Sequence, residues 1–355
     1  MSAVDRRASL MGTTDAVRLA GLGRHRLAAV AAIAVVAIAL VAAPYVLTPY
    51  FFVQILIRSL WLGTVAVSLT FLIRYAGMIS LAQTGIYGVA AYVTANLSVT
   101  RGVNQWAAAG VGISVAVALA FAVGALAARA RAVYFLMLTL AVGVFIYYFA
   151  LQYRPFTYGF SGINGVAPPS IGSVSLSDPH NFYWFALGTA VVCLLALYGF
   201  AHSPLGLALQ ADRDSPDRAR ALGMNPTLVR VVGFTVAGVV AAIGGVISVW
   251  FNGQVSPGSL DITRTIDILI IVVLGGVARL EGAWLGALLL SIMTVYLSDY
   301  TDHYLTVIGL VFMGVVLVSP NGVPGLVATS ISGLRRLRAP ASTPVSASPT
   351  QQENH

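Results

Sequence analysis

HSPLGLALQADRDSPDRARALGMNP, residues 202–226, is a polar island in a chain that is otherwise nearly continuous oil. Asp212, Arg213, Asp214, Asp217, Arg218 and Arg220 fall within it, and hydrocarbon would reject all six. The island nevertheless carries the start and stop signals of ordered structure. Leu205, Ala208 and Leu209 recur at helical spacing and predict a short helix over 204–213. Ser215-Pro216 reads as a fresh start, with serine at the N-cap and proline in the first turn. Asp217 suits the positive end of that second helix, and Gly223 suits a left-handed C-cap. Ala219 and Leu222 are read as one apolar face, fit to seat in a groove on a partner. A solvated connector is the plainer alternative.

The rest of the chain says what the island interrupts. Hydrophobic residues make up 58% of the 355 and charged residues 9%, against about 25% charged in an average soluble domain. Apolar runs fall near 27–47, 51–72, 76–98, 106–128, 132–151, 181–201, 230–251, 265–278, 282–298 and 303–319. They are continuous, so helices are preferred to an alternating barrel, and most reach the roughly 20 residues a bilayer needs. The first run is too long for a signal-peptide core and reads as a retained span. The fold class is an all-α integral membrane protein of about ten transmembrane helices. The eighth run is short and ends at Gly275-Gly276, which leaves nine open.

With both termini cytoplasmic, sixteen of the twenty arginines fall on inside segments; Arg101, Arg154 and Arg264 fall outside, and Arg58 lies within a span. That asymmetry is the expected one for cytoplasmic loops. The domains follow: a cytoplasmic tail over 1–26, the membrane domain over 27–319 with the loop 202–229 inside it, and a Pro-, Ser- and Thr-rich tail over 320–355 whose composition predicts disorder.

Several functions are excluded or weakened. The chain has no lysine, so it cannot form a Walker phosphate loop, which needs one. Its arginines are scattered rather than gathered on a face, which disfavours nucleic acid. Cys193 stands alone and excludes an intramolecular disulfide. His180, His202 and His303 fall at predicted interfaces without a paired cluster, so neither a metal site nor an enzyme centre is indicated. A proton- or sodium-driven secondary transporter usually buries acids in its bundle. Between Asp15 and Asp212 this chain has one acid, Asp178, in the long external loop 152–180.

The island, with ALQADRDSPDRARALGMN, resembles the cytoplasmic loop of ABC-transporter permeases for branched-chain amino acids, a group that also includes urea and amide permeases. The resemblance is carried at Ala208, Leu209, Ala211, Arg213, Ala219, Ala221, Leu222, Gly223 and Asn225, with Asp214 standing for a glutamate. GMISLAQTGIYGVAAYVTANL (77–97), YFLMLTLAVG (134–143), TYGFSGINGVAPPSIG (157–172), LIIVVLGGVARLEGAWLGALLL (269–290) and VSPNGVPGL (318–326) resemble further family segments in the same order. Departures are Gln210 for a basic residue, Asp212 for an apolar one, Arg218 and Arg220 for alanine and an acid, Gln83 for glycine and Ser319 for arginine.

The resemblance implies a permease subunit of an ABC importer in a bacterial plasma membrane, working with a second permease, two ATP-binding cassette subunits and an extracytoplasmic solute-binding protein. It implies no cofactor on this chain, ATP being bound by the partners, and no catalysis. Branched-chain amino acids lead as the solute; a secondary transporter or passive channel for a solute such as urea is the alternative. The coupling residues would be Gly206, Ala208, Leu209, Arg213, Asp214, Ala219, Leu222 and Gly223. Polar residues in the third run, Ser80, Gln83, Thr84 and Asn96, are candidates for the translocation path, with helix–helix bonding as their plainer role. Arg58 either snorkels to the outer surface or receives a carboxylate. Gly282 and Gly286 form a G-x-x-x-G pair suited to close packing. Gly159, Gly162 and Gly165 shape either a turn-rich loop or a surface for the binding protein.

Overall fold

The computed structural model describes residue 44 and residues 48–130, 133–172, 174–300 and 303–318. Apart from residue 44, the first apolar run lies outside the described residues, as do both predicted tails and Ser319. The chain divides into two units at Gln54–Ile55. In the first, the described part holds the one-turn helix Pro49–Phe51; the second holds the bundle and both candidate sites.

Among the described residues six helices are long and apolar enough to cross a membrane: α1 (Phe52–Ala76), α3 (Gln105–Ala127), α4 (Val133–Gln152), α5 (Pro179–Ala201), α8 (Pro226–Asn252) and α10 (Gly282–Tyr300). Three shorter apolar helices join them: α2 (Gln83–Ala95, prolonged by a π-turn to Thr100), α9 (Ile262–Gly275) and α11 (Tyr304–Val318). The polar island becomes α6 (Pro204–Asp214) and α7 (Pro216–Ala221). Side-chain caps start three of these helices. Asn104 accepts from the Trp106 N–H at 2.9 Å, Asp178 from His180 at 3.1 Å, and Asn225 from Thr227 at 3.1 Å. Pro179 and Pro226 fill first-turn positions whose N–H would have no helical partner.

The core gathers on α8, which packs against α1, α2 and α3. Small residues permit this. A side chain at Gly245 would strike the Tyr87 carbonyl of α2, and one at Gly238 would strike Ala120 of α3. The G-x-x-x-G pair does the same for the α9–α10 hairpin. Gly282 lies against the Gly275 carbonyl and Gly286 against the Ile271 carbonyl, with no room for a Cβ. By contrast α3, α4 and α5 are largely exposed apolar rods, as surfaces facing lipid or other subunits are.

Two faces are defined by contacts between segments distant in sequence. On one, Arg213 of α6 meets the Arg74 carbonyl, Arg230 of α8 meets the Ala128 carbonyl, and Tyr198 at the end of α5 donates to Glu281 at 2.9 Å. On the other, Asn96 donates to the Phe156 carbonyl at 2.9 Å, and β1 (Ile163–Asn164) pairs antiparallel with β4 (Gln254–Val255), Ile163 opposite Val255. A second small hairpin joins β2 (Ser170–Ile171) to β3 (Val174–Ser175). The chain thus crosses from one face to the other with each successive long helix.

The third apolar run corrects the sequence reading. A continuous helix over 76–98 is not formed. α1 runs on to Ala76, Gly77 turns the chain with φ +65°, and residues 77–82 continue without regular structure before α2 starts at Gln83. The glycine's left-handed geometry ends α1 in the manner of a C-cap. The break is invisible to hydropathy because its residues are mostly apolar.

Candidate functional site

The island forms the predicted helix, break and second helix, but Ser215 occupies the N-cap position of α7 without a side-chain cap bond. Ser203 caps α6, its Oγ accepting from the Gly206 N–H at 3.2 Å. α7 ends in a Schellman motif: Met224 donates to the Ala219 carbonyl at 3.1 Å, Gly223 donates to Arg220 at 2.9 Å, and Gly223 has φ +81°. A Cβ at Gly223 would meet open space, so the glycine is needed for its backbone angle and not for room. Gly206 differs. Its Cα faces the Phe200 carbonyl so closely that a side chain would overlap it.

Three ties lock this loop to the bundle. Asp212 is 2% exposed and receives both Nε (2.6 Å) and Nη2 (3.2 Å) of Arg230, the latter residue being in the second turn of α8. Arg230 also reaches the Ala128 carbonyl at 3.4 Å. A two-pronged guanidinium–carboxylate pair is the strongest geometry such groups can adopt, and it accounts for an acid at a position where the resembling family has an apolar residue. Leu209, fully buried, rests on Gly233 of α8. Gln210 donates to the Ala201 carbonyl at 2.9 Å and the Gly206 carbonyl at 3.1 Å, so its neutral amide fastens α6 to the end of α5.

The outward side is charged and apolar by turns. Arg213 pairs with Asp214 at 2.7 Å and reaches back to the Arg74 carbonyl, while Asp214 is largely exposed. Asp217, Arg218, Arg220 and Leu222 are exposed, Leu222 by 76%. Ala208 is half-buried. Ala219 is buried within the chain, so the apolar face read from Ala219 and Leu222 together does not exist. Leu222, the C-cap of α7, still donates to the Arg218 carbonyl at 3.2 Å and is exposed, while Ala219 one turn earlier is covered by the chain itself. Of the eight sequence-predicted loop residues, Gly206, Leu209 and Ala219 face inward; Arg213, Asp214, Leu222 and Gly223 face out.

A second polar cluster surrounds the start of α2. Ser80, Gln83 and Thr84 are all buried. The Leu81 N–H donates to Thr139 Oγ1 of α4 at 3.2 Å, and the Leu81 carbonyl lies against Gly143. Thr139 is the seventh residue of α4, about 10 Å along it at 1.5 Å per residue. Segment 77–82 therefore enters the bundle. Gln83 Oε1 accepts from Ser68 Oγ of α1 at 3.2 Å, and Thr84 shares a 3.0 Å bond with Thr265 of α9. The turn before α9 also bends inward: Tyr87 donates to the Ser259 carbonyl and Leu260 is buried. Between the two inturned segments lies a cleft of about 180 Å³, lined among others by Leu81, Leu140, Gly143, Tyr147, Asp261 and Thr265.

Ser80, Gln83 and Thr84 are thus together, whereas Asn96 is not. It lies near the opposite face, bound to Phe156. Ser68, Thr139, Thr265, Asp261 and Arg230 were missed from sequence. Thr139 sits inside the motif YFLMLTLAVG, a signal that was available; the others are made significant only by contacts across the fold. Arg58 has Arg264 and Asp267 of α9 as its electrostatic neighbours, and those two pair at 3.2 Å. It therefore stands in a small charged group and not alone in lipid.

A bundle of apolar helices interrupted by one firmly tied polar loop and one inturned segment defines a multi-pass membrane protein of the transport class. Residues 51–319 match the family of branched-chain amino acid transport system permease components, and the chain belongs to that family. Over 140 residues it is 29% identical to the high-affinity branched-chain amino acid transport system permease protein LivM of Salmonella typhimurium, covering 39% of this chain and 33% of that protein. It is 30% identical over 142 residues to BraD of Pseudomonas aeruginosa (38% and 46%) and 27% identical over 155 residues to LivH of Escherichia coli (43% and 49%). The matched stretch thus spans about a third to a half of the length of these relatives. No solved structure matches the chain.

Proposed function

We infer that this chain is the permease subunit of an ABC importer in a bacterial plasma membrane, forming part of the path for branched-chain amino acids. The observation that carries the reading is the α6–α7 loop. It is bound to α8 through Asp212–Arg230 and Leu209–Gly233, yet presents Arg213, Asp214, Asp217, Arg218, Arg220 and Leu222 outward. A loop that is rigid behind and charged in front is suited to take a push from a soluble subunit and pass it into the bundle. The partners are a second permease, two ATPase subunits that bind the nucleotide, and an extracytoplasmic binding protein. The α6–α7 face is then cytoplasmic, and the solute path passes Ser80, Gln83 and Thr84.

The test is reconstitution. The chain purified with its cognate subunits should accumulate labelled leucine in proteoliposomes only when ATP and the binding protein are supplied. Accumulation by this polypeptide alone, without nucleotide, would end the reading and favour a secondary transporter.

A further inference from the structure

The α6–α7 loop grips the bundle at a second place besides α8, and that place is the break after α1. α1 ends in a π-turn, Leu72–Ala76, and both Gly77 and Met78 donate to the Leu72 carbonyl. The Arg74 carbonyl is left without a backbone donor, as carbonyls in the last turn of a helix are. Nη1 of Arg213 supplies one, and a cation suits the negative end of a helix. The methylenes of this arginine lie over Gly77, where a Cβ would fall 2.8 Å from the Arg213 Cγ. From the other side Asp214 takes Nε at 2.8 Å and Nη2 at 2.7 Å. Every guanidinium nitrogen is engaged, so the side chain has one direction. Asp212 and Arg213 are neighbours on α6, about 100° apart around the helix, and they hold different things. Asp212 holds α8, a continuous helix. Arg213 holds the start of residues 77–82, which have neither helix nor strand to stiffen them. Four residues beyond Gly77, at most about 14 Å of chain, the segment reaches Leu81. Its N–H donates to Thr139 Oγ1 at 3.2 Å, and Leu81 lines the cleft together with Leu260 and Asp261.

We propose that Arg213 is a positioning residue for the inturned segment: through it the α6–α7 loop sets where residues 77–82 lie, and with them the width of the cleft at Leu81. The loop then acts on the bundle by two routes, a stiff one through Asp212 and α8 and a pliant one through Arg213. Gly77 is required twice, for its φ of +65° and for the space that the arginine fills. The proposal rests on the importer reading for the source of the push, but the link itself belongs to this chain alone.

Leu81→Cys in a Cys193→Ser background provides a reporter, since Cys193 is the chain's one cysteine and Leu81 meets α4 through its backbone. The measurement is the rate at which a membrane-impermeant methanethiosulfonate modifies it, read by mass spectrometry on the full-length chain in nanodiscs. Arg213→Met, which removes the guanidinium and keeps the methylenes, should raise the rate about fivefold. Its melting temperature should be nearly kept, because an exposed ion pair adds little to stability. Arg213→Lys, which can still donate to a carbonyl at the helix end, should return the rate to within about twofold of the parent. Arg218→Met, also exposed on the loop but without a side-chain bond to the bundle among the described residues, should leave it unchanged. In the assembled complex the rate should differ about fivefold between nucleotide-free and vanadate-trapped states, and Arg213→Met should abolish the difference. An unchanged rate in a folded Arg213→Met chain, an equal rise in Arg218→Met, no response to nucleotide with Arg213 in place, or a response that survives its loss would each overturn the link. Uptake that needs no ATP would instead defeat the importer reading and leave the results on the chain alone standing.

Discussion

The α6–α7 loop and the start of α2 are both polar interruptions in oil, and they treat their polar groups in opposite ways. In the loop the inward side chains are matched, Asp212 by Arg230 and Gln210 by two carbonyls, while Ser203 caps the start of α6 and Gly223 the end of α7. At α2 the helix end has no cap and Gln83 keeps an unmatched donor. A matched network fixes a shape, and an unmatched one retains capacity to bind. The difference separates a part built to transmit from a part on the proposed solute path.

The largest expected effect comes from breaking the loop's main tie. Asp212→Ala strands a mostly buried guanidinium, at about 3–5 kcal/mol for one-sided removal of a buried pair. The melting temperature of the detergent-purified chain should drop sharply, and Asp212→Leu combined with Arg230→Met should recover most of the loss. If the single variant melts with the wild type, the pair does not hold the loop.

Leu209→Ala removes the packing on Gly233 and should cost about 2–4 kcal/mol, read by the same melting experiment. Gly223→Val forces a β-branched residue into left-handed geometry, costing about 1–2 kcal/mol. Insertion should be unchanged and melting lowered by only a few degrees, while ATP hydrolysis by the complex is uncoupled from leucine uptake. Normal uptake would remove Gly223 from the transmitting element.

The path region should respond in the reverse sense. An unsatisfied buried polar group costs about 1–3 kcal/mol, and Gln83→Met removes one together with a single bond to Ser68. Stability should therefore hold or rise, by no more than about 1 kcal/mol, while leucine uptake by the complex weakens. Stability exchanged for function is the expected signature of a position on the path. A marked fall in melting temperature would mean that Gln83 is structural.

The loop was largely legible in the sequence because its signals are local. Ser215-Pro216 and Gly223 act through neighbours within a turn or two, and the helix–break–helix–stop reading holds at nearly every residue. Asp212 was visible as an anomaly but not as a solution, since its partner lies eighteen residues on, in another helix. Ala219 and Leu222 keep helical spacing, but Ala219 is buried within the chain, by contacts that local spacing does not encode. The break at 77–82 could not be read from hydropathy: Met78, Ile79, Leu81 and Ala82 are as apolar as a helix would be, and only Gly77 marks the turn. Thr84 and Thr265 are 181 residues apart, a meeting that no local pattern encodes.

α8 holds the Arg230 grip near its beginning and runs 27 residues, about 40 Å at 1.5 Å each, to Gly253 with φ +66° and the β4 strand just beyond. A thrust delivered at the guanidinium meets no intervening hinge. The first pliant joint it reaches is that glycine, on the far surface, where Val255 lies opposite Ile163. The moving part of such a tie-rod is expected at its distant tip, so bridging Asn164→Cys to Gln254→Cys should arrest transport although both positions are a full membrane thickness from the engine.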